Sequence, residues 1–500
     1  MTVLERPVET VPEVSPVRAT LALARVEARL LLRPLVILAV LGHVVMTLWP
    51  GDGETYPVLH EVDRESQLGP LLIGLMGLLT VNAAVLRSRR HGTEAHFGVL
   101  VLAPWWRTVA HALSVVPLAL VTAVVVAALF AREAARPGAV GHGSFAELAT
   151  GPLIVLFLGA VGVMLGRLAR SAFAGPLAVV VVLAATFVLV ADEGGPRWLA
   201  PLVADEGERP LTAELVGRPA GWHALYLVAA AFLMVMVAVW ASGGRTAVIR
   251  AVAAGALAVT VAAAVMQGRG PSTELAAARE RATREPAAVQ DCVRHGLTTY
   301  CAFEEFKPWT AEWRKVVDGV RALAGPAATR ELTVRQRVYA VKGPSAMGEL
   351  PPAPDGGHEV TIGTAWDGER RLELAAGVAR GMVVRSERLG RVHCDARGVL
   401  MFWLAIRGIP DGEAQYATAR KNMGGGGGMI LAPVNPITVR DREYAVVQAL
   451  LNRPTPEIAK RINASWDELT RPGTSTDRAA SLLGVTAPVE TADDRLWACS

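Results

Sequence analysis

Charge is scarce in this chain. Charged residues make up 19% of its 500 positions, hydrophobic residues make up 52%, and mean hydropathy is +0.35. An ordinary soluble domain carries about 25% charged residues, so the composition excludes a soluble globular protein and points to a membrane one. Lysine is scarcer still: all five, Lys307, Lys315, Lys342, Lys421 and Lys460, lie after Gly268, and the rest of the 50 basic residues are arginines. The formal charge of +4 is small and dispersed, which excludes a nucleic-acid partner. No G-x-x-x-x-G-K-[ST] occurs, so nothing in the chain cradles nucleotide phosphates and no cofactor is expected. A cleavable signal peptide is not expected, because Met1 to Thr20 is polar and proline-spotted and no small-residue cleavage site follows promptly. Cysteine is limited to four residues.

Long apolar runs fill the chain up to about Gly268, and charged, turn-rich sequence follows. A helix needs roughly 20 apolar residues to cross the hydrocarbon core. Seven segments qualify: 34–50, 69–86, 108–130, 149–169, 174–191, 222–241 and 246–267. The last carries Arg250 about one turn inside, where an arginine can snorkel to the interface. The organisation expected is a cytoplasmic N-terminus with an amphipathic helix (1–33), a transmembrane domain (34–267), a helical stalk (268–290) and a mixed α+β domain (291–500). The fold class is thus a polytopic α-helical membrane protein followed by an extracytoplasmic α+β domain.

Orientation follows from the arginines, because short cytoplasmic loops accumulate positive charge. Arg18, Arg25, Arg29 and Arg33 precede the first run, and Arg87, Arg89, Arg90 and Arg107 lie between the second and third. Arg167 and Arg170 follow the fourth, and Arg245 and Arg250 follow the sixth. The alternate loops are acidic, with Asp52, Glu54, Glu61, Asp63 and Glu65 in one and Asp192, Glu193, Asp205, Glu206, Glu208 and Glu214 in another. An odd number of spans then carries everything after Gly268 to the outside, which is oxidising. Cys292 and Cys301, in DCVRHGLTTYC, are expected to pair there; two free buried thiols are the alternative. Cys394 and Cys499 remain as a second pair, and closing a loop of about a hundred residues contributes up to roughly 4 to 5 kcal/mol on the chain-entropy view.

Two segments on the arginine side carry more pattern than a connector needs. VRATLALARVEARLLLR sets its arginines on one helical face; it reads either as a helix lying in the interface or as a frayed start of the first span. SRRHGTEAHFGVLVLAPWWRT combines a basic cluster, an acid and a short apolar run closed by Pro104, Trp105, Trp106 and Arg107. The order of basic elbow, two spans, RSRRHGTEAHFGVLVLAPWWRTVAHAL and a third span resembles the type-2 ABC exporter permeases, in which an R-x-x-G-T opening and a proline-bearing end bracket the loop that meets the ATPase. GVMLGRLARSAFAGPLAVVVVLA, joining the fourth span to the fifth, is similar to the corresponding part of that family. The resemblance covers roughly Arg18 to Ser242.

That resemblance implies a permease in the bacterial cell membrane, working as a homodimer or heterodimer with a separate cytoplasmic ATPase. It assigns Gly92, Thr93, Glu94, Trp105 and Arg107 to the ATPase-coupling loop, against the reading of an interfacial tryptophan anchor. The family core has six spans with both ends cytoplasmic, so the seventh span and the large external domain depart from it. Such appended domains resemble those of a subgroup of actinobacterial permeases.

Polar groups inside spans are costly, and His43 and Asn82 are the candidates. Each either bonds to a neighbouring helix or belongs to a functional path. Gly162 and Gly166 form a small-xxx-small pair suited to close helix contact. In the C-terminal part, helices are expected from TAEWRKVVDGVRALAG, RRLELAAGVARGMVV, ARGVLMFWLAIRG, DREYAVVQALLNR and TPEIAKRINASWDEL, the last capped by Thr455 with Pro456 first. Strands are expected in RELTVRQRVYAV and HEVTIGTAW, and a stalk helix in TELAAARERATRE. The glycines at 424–428 mark a loop. Phe303, Phe306, Trp309 and Trp313 either line a groove or pack around the first disulfide.

Catalytic constellations are not legible. HEVDR at His60 lacks the second histidine of H-E-x-x-H, Ser345 lacks the second glycine of a nucleophile elbow, and His295, His358 and His393 are too scattered for a metal. No enzyme is expected. The alternative to a permease subunit is a membrane-anchored extracytoplasmic binding or sensing protein, whose spans only hold the outer domain.

Overall fold

Proline punctuates the start of the fold. In the computed structural model, which describes residues 15–32, 34–48, 56–93, 102–191, 197–202, 211–327, 329–338, 359–384, 392–423, 428–430, 437–492, 494 and 499, helix α1 (Pro16–Leu31) is followed at once by α2 (Pro34–Leu48). A proline at 34 lacks the N–H that would continue α1 and pushes the residue before it out of the helical region. The two helices accordingly meet at 59°. The segment before the first apolar run is helical and bent away from it, which suits either a helix lying in the interface or the bent start of the first span. It buries Thr20, Ala24, Glu27 and Leu31 on one face and leaves Arg18, Arg25 and Arg29 exposed.

All seven apolar segments are helical. Among the described residues, five helices are long and apolar enough to cross a membrane: Leu59–Val85, Pro104–Ala134, Phe145–Leu168, Ala220–Ala241 and Ala247–Gln267; α1 with α2 makes a sixth if the bent pair is one span. Helix Ala174–Ala191 is shorter in its apolar stretch, Ala174–Val190. The longest spans are themselves jointed. Leu59–Val85 divides into α3 (Leu59–Glu65) and α4 (Leu68–Val85), and Pro104–Ala134 into α6 (Pro104–Leu113) and α7 (Val116–Ala134), with α5 (Arg87–Arg90) as one turn between α4 and the loop.

Helix α8 (Phe145–Leu168) packs against α4, α7 and, on its other side, α11 (Ala220–Ala241); α9 (Ala174–Ala191) leans on α4. Glycine sets how close α4 and α8 come. A Cβ on Gly162 would lie 2.6 Å from the carbonyl oxygen of Leu78, and one on Gly166 would lie 2.7 Å from Val85 Cγ1. Leu71, Leu75, Leu78, Ile154, Leu158 and Leu227 fill the seam around these contacts. Dispersion, not water exclusion, holds such a seam in lipid, so backbone proximity matters most there. Helix α12 (Ala247–Gln267) stands at the periphery, with 6% of its apolar window buried.

The C-terminal part holds two small sheets. The hairpin β1 (Asp291–His295) and β2 (Thr298–Ala302) begins the first, and parallel strands β3 (Leu332–Gln336) and β4 (Glu359–Ile362) complete the order β1-β2-β3-β4. Cys292 and Cys301 are directly opposite residues of the hairpin and form the first disulfide. Helix α14 (Thr310–Ala324) is the crossover from β2 to β3, and α15 (Gly368–Val383) follows β4. The second sheet has the order β5-β7-β6, from Val392–His393, Gly428–Ile430 (β6) and Ile437–Val439 (β7). Helix α15 packs on strands of both sheets, and α16 (Ala396–Arg407) packs on α15 and β7 with every residue from Ala396 to Ile406 buried. Cys394 and Cys499 form the second disulfide beside a bridge pairing of Val392 with Cys499, which holds the chain's end against the second sheet.

The remaining helices are α17 (Gly412–Met423), α18 (Asp441–Leu451), α19 (Thr455–Ala464), α20 (Trp466–Leu469) and α21 (Thr476–Leu483). Helix α19 starts one residue earlier than its sequence suggests. Thr455 is the first helical residue, Pro454 holds the cap position, and no side chain caps the end. The hairpin, α17 and the strands of the second sheet were not expected. Of the glycine run, positions 424–427 lie outside the described residues and Gly428 opens β6.

One hydrophobic core joins both parts of the chain. Val58, Val140, Leu211, Leu215 and Val216, all before Gly268, pack with Phe303, Phe306, Trp309, Trp313 and the rest of the C-terminal core. The four aromatics are packing residues, buried to 5% exposure or less. The expected stalk, α13 (Thr273–Arg284), is capped by Ser272 and lies back on a one-turn helix, α10 (Ala213–Val216). There Arg279 donates to the carbonyls of Leu215 and Val216.

The helix seam generates a test. Replacing Gly162 by leucine should destabilise the bundle by on the order of 1 to 3 kcal/mol, as overpacking does. Gly255→Leu, at a peripheral position where a Cβ meets nothing within 4 Å, serves as the control and should be silent. Thermal unfolding of the detergent-solubilised chains, followed by tryptophan fluorescence, reads both.

Candidate functional site

At the arginine-rich end of the bundle, the elbow helix is tied to the root of the second loop. Arg87, the first residue of α5 just past the end of α4, donates from both terminal nitrogens to the two carboxylate oxygens of Glu27, at 3.1 and 3.2 Å. This fork fixes direction as well as distance. Helix α1 also packs along α6, which Pro104 opens at its first turn. Trp105 and Trp106 stack there with ring centroids 4.1 Å apart, both half-buried. Thr108, further along α6, shares a 2.7 Å hydrogen bond with Ser242 at the end of α11. Gly92 adopts φ +65°, a left-handed conformation suited to glycine, and Thr93 turns its N–H and hydroxyl back to the carbonyl of Ser88. Glu94 lies outside the described residues. Of the residues expected to form a coupling loop, Gly92, Thr93, Trp105 and Arg107 are thus at the end of the bundle where the elbow lies.

His43 and Asn82 lie at different depths. Asn82 sits among small residues of α8 and α9: a Cβ on Gly175 would lie 2.8 Å from its Nδ2, and one on Gly166 would lie 3.3 Å from its Oδ1. His43 lies on α2 against Gly69, where a Cβ would come within 1.8 Å of ring Nδ1. Among the described residues, no hydrogen bond links the two, and the His43 ring meets only Thr47 in this way.

The opposite end of the bundle holds a buried ionic cluster that sequence reading missed. Arg218, with its side chain 1% exposed, stands just before α11 and donates to three acceptors among the described residues. These are Glu61 Oε1 at 2.6 Å, Glu147 Oε2 at 2.9 Å and the carbonyl of His60 at 2.6 Å. A buried guanidinium is tolerated only when it is paired in this way. Asp63, fully buried, accepts from the backbone N–H of Ser144 at 2.5 Å. The ring of His60 faces the carbonyl of Leu211 at 2.5 Å through Nε2 and Glu305 at 3.0 Å through Nδ1. The other oxygen of Glu305 accepts from the N–H of Ala213 at 2.8 Å.

Glu305 belongs to the C-terminal domain, so the cluster joins it to two loops of the bundle. Two further hydrogen bonds cross the same junction: Trp309 Nε1 donates to Gly138 O at 2.7 Å, and the N–H of Tyr56 donates to Trp366 O at 3.0 Å. HEVDR drew attention only as half of a metal motif, and the acids only as marks of side. One sequence signal was present: S-F-A-E at 144–147 is a capping-box pattern. Ser144 does cap the helix, accepting from Glu147 N, while the Glu147 carboxylate goes to Arg218. Ser345 and His358 lie outside the described residues; His295 is exposed and His393 buried, on different sheets.

The arrangement is mechanical in its chemistry. It fixes the domain to the ends of α3, α8 and α11 and presents no nucleophile beside a base. Arg218→Leu should therefore cost about 3 to 5 kcal/mol, because the buried carboxylates of Glu61 and Glu147 and the carbonyl of His60 would all lose its donation. Adding Glu147→Gln should recover part of that loss. Thermal midpoints of the single and double variants measure both; equal stability of Arg218→Leu and the natural chain would show that the guanidinium is not what holds these segments.

Comparison with protein-family models, with curated proteins and with solved structures finds no match.

Proposed function

We propose that the chain is the membrane-spanning permease subunit of an ATP-binding cassette exporter whose ATPase is a separate cytoplasmic polypeptide. In this reading it sits in a bacterial cell membrane, its arginine-rich loops are cytoplasmic, and its disulfide-bonded C-terminal domain is outside. The observation that carries the proposal is the elbow: a helix set at 59° to the first apolar helix, ion-paired through Glu27 to Arg87 at the root of the Gly92–Arg107 loop. A partner that moves that loop would move the elbow and the end of α4 together. The positive-inside bias supports the orientation, and the two disulfides support an oxidising location for the domain. The exposed apolar side of α12, including Val248, Leu257 and Val261, suits lipid or a second permease in a homodimer or heterodimer.

Purification of the tagged chain from its native membranes in mild detergent tests the reading. A second chain that hydrolyses ATP should copurify, and Glu94→Arg should abolish coupled hydrolysis while the chain still inserts and folds. If no ATP-hydrolysing chain is captured, the better description is a membrane-anchored extracytoplasmic binding or sensing protein, which needs the docked domain but no ATPase.

Orientation has its own measurement. A reporter active only in the cytoplasm should work when fused after Arg90 and fail after Gly270. Activity at both positions would put the C-terminal domain on the same side as the arginines and remove the export geometry.

A further inference from the structure

Where the bundle meets the C-terminal domain, a cavity of about 660 Å³ opens between α2, α3, α7 and the segment after β4. That volume falls within the range of small-molecule sites, roughly 300 to 1,000 Å³. Its wall is divided. Met46, Leu68, Leu72, Leu129 and Phe130 make it apolar towards the spans. Towards the domain, four carboxylates (Glu61, Glu65, Glu133 and Asp367) face two guanidinium groups (Arg64 and Arg136).

Most of these charges are already answered. Glu133 is held by Arg132 and Arg136, and Glu61 by Arg64 and Arg218. Glu65 is different: its carboxylate is 72% exposed and meets Arg64 only at 4.0 Å. Asp367 uses one oxygen to cap α15 through the N–H of Arg370. The wall therefore keeps negative capacity for a cation.

His43 supplies a second and independent feature. It lines the cavity, is 6% exposed, and its Nε2 has no hydrogen-bond partner among the described residues. The hydroxyl of Thr47 donates its one hydrogen to the carbonyl of His43 at 2.9 Å. Its oxygen can then face Nδ1, 3.5 Å away, only as an acceptor. With the ring hydrogen on Nδ1, the tautomer this contact favours, a lone pair is left on Nε2. A buried acceptor without a donor is costly, so the occupant should bring an N–H or O–H. Gly69 leaves room for the ring, since any side chain there would collide with it.

We propose that this cavity is a binding site for an amphipathic primary ammonium: its N–H donates to His43 Nε2, its charge is met by Glu65, and its hydrocarbon part lies along the apolar wall. The site does not depend on the exporter reading. The ammonium could arrive on a lipid headgroup or on a soluble amine, and the same chemistry recognises both.

Calorimetric titration of the purified chain in nanodiscs of phosphatidylcholine tests it, with octylamine as the probe. Octylammonium should bind at one saturable site, octyltrimethylammonium should bind about tenfold more weakly because it has charge but no N–H, and octanoate should not bind. His43→Leu should erase the preference for octylammonium over octyltrimethylammonium. Glu65→Gln, at an exposed position that folding does not need, should weaken both cations alike. Equal binding of all three probes, a full preference retained in His43→Leu, or unchanged affinity in Glu65→Gln would overturn the proposal. Adding phosphatidylethanolamine to the nanodiscs separates the sources while upholding the site: weaker octylammonium binding assigns the natural ammonium to lipid, and unchanged binding assigns it to a soluble amine.

Discussion

A single guanidinium with almost no access to water organises one end of this molecule. Arg218 cannot remain buried alone, and the two carboxylates that answer it come from different helices, Glu61 on α3 and Glu147 on α8. Satisfying it fixes the relative position of three helix ends. Once they are fixed, His60 is presented to Glu305 and the N–H of Ser144 to Asp63, and the C-terminal domain has a polar socket at the centre of its apolar contact. The shared core of Val58, Val140 and Leu211 with the domain aromatics adds area but little direction. Ion pairs and hydrogen bonds supply the direction.

The other end is organised by a missing N–H. Proline at position 34 stops α1 from running into the first apolar helix, so α1 turns aside with its arginines outward and Glu27 inward. Glu27 then finds Arg87, whose position is set by the close seam of α4 with α8 at Gly162 and Gly166. The elbow, the loop root and the central helices are thus a linked set. Each link is either a fork of two hydrogen bonds or a contact between backbones with no room for a side chain.

What the sequence made legible follows the range of the forces involved. Apolar length gave the helices of the bundle, because backbone satisfaction in lipid is local to each helix. Cysteine parity gave both disulfides, since four cysteines on one side leave few choices once Cys292 and Cys301 pair. Alternation gave β3 and β4, but the hairpin of Cys292 and Cys301 escaped notice: β1 is exposed along its whole length, so no period-two burial marks it. The strands of the second sheet are two or three residues long, too short for any pattern. The cap of α19 was misassigned by one residue because Thr-Pro reads equally well as cap and first turn, and here no side chain caps the end. The ionic cluster was illegible for a different reason. Its members lie between 60 and 305 in the chain, and nothing local distinguishes an acid that marks a loop from one that holds a buried arginine.

The two organised ends are joined by α4 and α8, which pack against each other, with Pro152 inside α8. Helix α8 carries Glu147 in its first turn, at the domain end, and Gly166 near its last, at the arginine end; α4 runs alongside it to Arg87. A shift of α8 along α4 would have to lift Gly162 off the carbonyl of Leu78, where even a methyl group does not fit. Interfaces packed this tightly move as units. If a partner displaces the elbow, the displacement is therefore expected at Glu147, and from there at Arg218, Glu61 and the mouth of the cavity that Glu61 shares with His43. In that geometry the domain is not a passenger on the spans. Through Glu305 it meets the ionic cluster, and through Trp366 and Asp367 it lines the cavity.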